Sequence, residues 1–121
     1  MKILVVDDSS QYVESVIRKL EKAGFNANGI VPSAYGIEMI NKDELLTEED
    51  VLALVRDADV IFLDHKMPKM NGGELLTYWE KKGVDFANKR VVGISSSNQP
   101  YLKEQFKNFD EVDCVKQLLG I

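Results

Sequence analysis

Two acidic stretches carry the side chains with the most chemistry in them. Asp7-Asp8 directly follows the apolar run Ile3 to Val6, and Asp64 directly follows Val60 to Leu63. Runs this short, apolar and partly β-branched are those of strands buried on both faces, so each carboxylate is placed at a strand's carboxyl end. In an open α/β sheet, ligands bind just outside those ends. Two further polar groups occupy equivalent places: Ser95 after Arg90 to Ile94, and Lys116 after Glu111 to Val115. Clustered carboxylates repel one another and raise each other's pKa, an objection that a hard, oxygen-loving divalent ion such as Mg²⁺ removes. A hydroxyl and a compact ammonium would then face an anion bound beside the metal. An aspartate nucleophile, Mg²⁺, a hydroxyl and a lysine are together the parts of phosphoryl transfer onto a carboxylate. Asp64 attacks in line while metal and lysine neutralise the equatorial oxygens.

Other polar residues stand close to these in the sequence. Ser96 competes with Ser95, which is preferred because it directly follows the apolar run. His65 adjoins Asp64, but successive residues near a strand end point apart, so it is not taken as a metal ligand. Tyr78 and Trp79 read as packing residues. Cys114, the only cysteine, excludes an internal disulfide, reads as a small buried residue and fits a reducing compartment.

The elements that must position these groups are legible as an alternation. Lys2 to Val6 is strand one, and Ser9 or Ser10 caps a helix whose buried face is Val13, Val16, Ile17, Leu20 and Ala23, closed by Gly24. Phe25 to Val31 is strand two. Between 32 and 58 two helical pieces are expected around a polar hinge, Asn41 to Glu44. The first piece offers Tyr35, Ile37, Met39 and Ile40. The second opens with Thr47 and Asp50 as a capping box, and Leu46 and Val51 can form a hydrophobic staple. Val60 to Leu63 is strand three, after which Met67-Pro68 forces an extended or turn conformation and Asn71-Gly72-Gly73 a turn. Glu74 to Lys82 is a helix ended by Gly83, Arg90 to Ile94 strand four, Pro100 to Phe109 a short helix, and Glu111 to Val115 strand five. Strands alternating with helices predict one α/β domain over residues 1–121: a doubly wound parallel sheet of five strands with helices on both faces.

Composition sets outer limits. The 121 residues suffice for one core of ordinary size. A net charge of −5 argues against a direct nucleic-acid surface, which needs clustered Lys and Arg. The apolar runs are too short to cross a bilayer and no signal-peptide pattern opens the chain, so a cytoplasmic protein without membrane contact is expected.

In Asp7-Asp8, Asp64 followed by Met67-Pro68 and Asn71-Gly72, Ser95 within Val-Val-Gly-Ile-Ser-Ser, and Lys116, the chain resembles the receiver domains of two-component response regulators, the CheY-like family, from Met1 to about Lys116. The resemblance implies a flavodoxin-like sheet of order 2-1-3-4-5 and phosphorylation of Asp64 by a histidine kinase or phosphotransfer protein. It implies Mg²⁺ held by Asp8, Asp64 and the backbone carbonyl of Lys66, with Asp7 acting through water. Ser95 and Lys116 would contact the phosphoryl group, while Lys66 and Ser97 flank the site and would modulate it. Output would go to a downstream protein by contact, with self-phosphorylation and autodephosphorylation in place of turnover chemistry. The alternative is a receiver-fold interaction module that no longer depends on phosphorylation.

Four departures accompany the match. Gln117 stands where the family has Pro after the lysine, and Asp113 stands where an aromatic switch is expected. The segment between strands two and three is long, and too few residues follow Lys116 for a full fifth helix. A truncated or missing fifth helix would leave several hundred Å² of apolar surface bare, at about 25 cal/mol per Å² a cost of several kcal/mol, so a homodimer covering that surface is expected.

Overall fold

The structure, a computed structural model, describes residues 1–33, 36–41, 44–64, 67, 70–93, 104–105 and 111–120. In chain order the elements are Lys2–Val6 (β1), Ser10–Lys22 (α1), Asn26–Ser33 (β2), Gly36–Asn41 (β3), Glu44–Leu46 (β4), Glu48–Asp57 (α2), Val60–Leu63 (β5), Gly72–Lys81 (α3), Arg90–Gly93 (β6), Glu104–Gln105 (β7) and Glu111–Leu119 (α4). The sheet order is β4-β3-β2-β1-β5-β6-β7. Its parallel part, β2-β1-β5-β6-β7, is the expected 2-1-3-4-5 sheet.

Period-two alternation divides the core between the two faces of the sheet. Leu4 and Val6 of β1 and Ile61 and Leu63 of β5 face Val51, Leu52 and Val55 of α2 and Leu75, Leu76 and Trp79 of α3. Ile3, Val5, Val60 and Phe62 face Val13, Val16, Ile17 and Leu20 of α1 and Cys114 and Val115 of α4. Helix ends follow side-chain capping. Ser9 caps α1, Thr47 and Asp50 form a capping box on α2, and Asn71 and Glu74 form another on α3, which starts α3 two residues before its expected first residue. Gly24 and Gly83 take positive φ just past α1 and α3, where a side chain would be strained.

Three expectations are overturned. The first helical piece of segment 32–58 is a hairpin: β3 pairs antiparallel with β2 and with β4, Asn41 opposite Glu44, extending the sheet beyond its parallel edge. Ile37 and Met39 flank Glu38 in strand alternation, and Gly36 is a poor helix former. Next, the short helix expected over Pro100 to Phe109 contains strand β7, which pairs in parallel with β6 through Val92–Glu104 and Gly93–Gln105; the rest of that segment lies outside the described residues. Finally, Glu111 to Val115 is not a strand but the first half of α4. Val112, Val115 and Leu118 recur every three residues and pack with buried Cys114 against the α1 face, while Glu111 and Asp113 begin the helix and Lys116 lies near its end, as the helix dipole favours.

The terminal helix is therefore short but present. Met1 is the only large hydrophobic residue exposed among the residues whose side chains are described. No helix among the described residues is long and apolar enough to cross a membrane.

Candidate acidic site at the strand ends

Because β1 and β5 run in parallel with Val6 opposite Leu63, the residues that follow them, Asp7 and Asp64, leave the sheet side by side. Their backbones are fixed by the extended ladder: the Asp64 N–H donates to the Val6 carbonyl at 3.0 Å, and the Asp7 N–H to that of Ile30 at 3.3 Å. Asp64 is the one buried charged residue among those described, 9% exposed, while Asp7 is half-buried and Asp8 exposed. One carboxylate oxygen from each of Asp7, Asp8 and Asp64 lies within 4.8 Å of the others.

That proximity has an electrostatic cost. Burial pushes Asp7 up to about 6, and the nearby charges of Asp64 and Asp8 push the same way, against the Ser9 N–H that donates to Asp7 Oδ1 at 2.8 Å. Three hard oxygen donors converging at one strand edge, one of them driven toward its neutral form by burial and by its neighbours, fit a small divalent cation such as Mg²⁺, which would supply the charge that favours the ionised cluster.

Of the remaining expected site residues, Lys66, Ser95 and Ser97 lie outside the described residues, as does His65. Met67, downstream of Asp64, is buried in the α2–α3 core. Lys116 is not brought to this edge by a strand. It lies in the second half of α4 with its side chain exposed, so the placement on which its role rested does not hold. Asp113 likewise is an exposed helical residue and not a strand residue three positions ahead of a terminal lysine.

Sequence reasoning missed three residues. Lys107, which lies outside the described residues, stands in the sequence two positions after Gln105, the end of β7, and four before Glu111, the start of α4. Reading Val112, Val115 and Leu118 as a helical stripe would have moved the strand upstream and exposed it. Tyr12 and Glu111, the other two, meet across α1 and α4, the Tyr12 hydroxyl donating to Glu111 Oε1 at 2.7 Å.

No family model matches the chain. Among curated proteins, hybrid signal transduction histidine kinase L of Dictyostelium discoideum is 26% identical over 109 residues, which is 90% of this chain. The chain spans only 6% of that protein's length. Among solved structures, chemotaxis protein CheY4 of Vibrio cholerae superposes with a TM-score of 0.66 at 20% identity, covering 99% of this chain and 97% of that one. The chain has the CheY-like receiver fold. Response regulator TrrA of Thermotoga maritima, solved in complex with Mg²⁺-BeF, matches with a TM-score of 0.59 at 20% identity, covering 98% of this chain and 96% of that one. The acidic cluster thus sits on a receiver fold at the carboxyl edge of its sheet, the crevice where open α/β sheets bind ligands.

Proposed function

We propose that this chain is a phosphoaccepting receiver of a cytoplasmic two-component system, taking a phosphoryl group on Asp64 from a histidine kinase or phosphotransfer protein and signalling to a downstream protein by contact. The observation that carries this reading is Asp64 itself: buried, at the end of central strand β5, within 4.8 Å of the Asp7 and Asp8 carboxylates. An oxygen of Asp64 attacks the phosphorus in line as the phosphorus–nitrogen bond of the donor histidine breaks, and the departing imidazole takes up a proton. Asp8, Asp64 and the Lys66 carbonyl would hold Mg²⁺, with Asp7 acting through water, and the ion would supply charge to offset that of the cluster and of the phosphoryl oxygens.

Ser95 contacts one phosphoryl oxygen, and Lys66 and Ser97 flank the group and govern how long it lasts. The lysine's role passes from Lys116 to Lys107, because Lys107 follows the edge strand and Lys116 rides on a helix. Phosphoryl uptake and loss on Asp64 are the only chemistry in this reading, which makes the protein a switch and not a turnover enzyme. A second reading, a receiver-fold interaction module, is favoured by one residue. Glu104, three before Lys107 and within β7, stands where the family carries an aromatic.

Incubation with Mg²⁺ and acetyl phosphate followed by intact-mass measurement tests the proposal. A gain of one phosphoryl group in the wild type that vanishes in Asp64→Asn is expected. An unchanged wild-type mass would overturn phosphoacceptance and leave the interaction module. Loss of the gain in Lys107→Ala but not in Lys116→Ala checks the lysine assignment.

A further inference from the structure

A continuous chain of contacts leaves the acidic cluster and ends on the far helix. Asp7 Oδ1 accepts from the Ser9 N–H at 2.8 Å, and Ser9 Oγ accepts from the Tyr12 N–H at 3.3 Å, which caps α1. The Tyr12 hydroxyl donates to Glu111 Oε1 at 2.7 Å, and the other oxygen of Glu111, Oε2, takes the Lys19 ammonium at 3.2 Å. Glu111 is the first residue of α4, so this clasp ties the start of the terminal helix to the first and third turns of α1. Burial, the bond to Glu111 and the charges of Glu111, Asp7 and Asp64 all hold the Tyr12 hydroxyl in its protonated, donating form. Tyr12 therefore feels both ends of the chain.

We propose that the Tyr12–Glu111–Lys19 clasp is a coupling device that reports the state of the Asp7/Asp8/Asp64 cluster to α4. This rests on the receiver reading above for what changes that state. A cation or phosphoryl group that draws on the Asp7 carboxylate competes with the Ser9 N–H for it. The Ser9 turn that caps α1 and positions Tyr12 then shifts, and with it the grip on Glu111. The route uses no residue between β6 and α4 and no aromatic on β7, where Glu104 stands. Linkage makes the effect reciprocal: if the cluster's occupancy alters the clasp, breaking the clasp must alter the cluster's affinity for its ligand by the same factor.

Hydrogen exchange of α4 amides and Mg²⁺ titration by calorimetry, on the full chain, read both directions. In the wild type, Mg²⁺ changes α4 exchange rates severalfold. In Tyr12→Phe, which keeps the ring and deletes the hydroxyl, that response disappears and the Mg²⁺ dissociation constant shifts by about fivefold. A merely structural clasp would lower stability and leave the dissociation constant unchanged, which would overturn the proposal. So would an α4 response of equal size in both proteins. A metal-free arm separates this from failure of the receiver reading: Asp64→Asn, which removes one charge from the cluster, alters α4 exchange in the wild-type background but not in Tyr12→Phe. If that arm holds while Mg²⁺ fails to bind, the coupling stands and the metal assignment falls. If Mg²⁺ binds and α4 is indifferent to both perturbations, the coupling falls and the receiver reading stands.

Discussion

Three carboxylates meeting at one strand edge cannot all be content in the metal-free protein, and this has a measurable sign. Asp7 is raised to about 6 by burial and by its acidic neighbours, so at neutral pH the folded state carries an ionised group it disfavours. Asp7→Asn keeps an oxygen for the Ser9 N–H and removes the charge. With EDTA present it is expected to stabilise the protein by about 1 kcal/mol, discounted for the half-exposed site, which a melting curve reads as a rise of roughly 3–5 °C. The wild type should be stabilised by Mg²⁺ far more than the variant. At a hundredfold excess over its dissociation constant the ion adds about 2.7 kcal/mol to wild-type stability, and Asp64→Asn and Asp7→Asn lose most of that gain. A wild-type melting curve indifferent to millimolar Mg²⁺ would remove the metal from the account.

Among the elements, the packing of α1 on the sheet and of α4 on α1 holds the most testable detail. Gly29 in β2 lies under α1 so closely that a Cβ there would sit 2.2 Å from Val13 Cγ1 and 2.7 Å from Ile17 Cδ1. Gly29→Ala should therefore cost about 1–3 kcal/mol in urea unfolding, and Val13→Ala in the same chain should recover part of it by making room. The α1–α4 contact carries a pH signature. Burial raises Glu111, but the Tyr12 hydroxyl and the Lys19 ammonium outweigh it and hold the carboxyl below its usual range. A depressed folded-state pKa means the unfolded chain binds the proton more readily. The contribution is thus present above about pH 4.5 and is lost as pH falls through the folded value. Tyr12→Phe is expected to be less stable than the wild type by about 1 kcal/mol at pH 7, with the gap narrowing below pH 4.5. Urea midpoints across pH 3–7 check this, and a gap that stays constant would place the clasp outside the ionised state of Glu111.

At the scale of the molecule, the described helices cover both faces of the sheet, α2 and α3 on one and α1 and α4 on the other. Met1 alone among the described residues leaves a large hydrophobic side chain in water. Self-association must repay the lost translational and rotational freedom with buried apolar area, and Cys114 and Val115 of the terminal helix are already buried within the chain. Gel filtration at micromolar concentration should give the mass of one 121-residue chain. A dimer that dissociates on Leu118→Glu would return the interface to the terminal helix.

The amino-acid sequence by itself determined the central strands, the two acidic termini and the capped helices. Each of these is a local matter: an apolar run of strand length, a carboxylate where it stops, or a Ser, Thr or Asn with a partner three residues on. That is why Asp7, Asp8 and Asp64 are legible as one cluster in the sequence. What only the tertiary structure decided lies where local patterns are short enough to read two ways. Gly36 to Leu46 became a hairpin because β2 offered an open edge to pair with, and Glu111 to Leu119 became a helix because α1 offered an apolar face for Val112, Val115 and Leu118. With that helix in place the edge strand lies upstream, at Glu104–Gln105. A five-residue apolar run has no preferred period of its own, and the surface against which it packs supplies one.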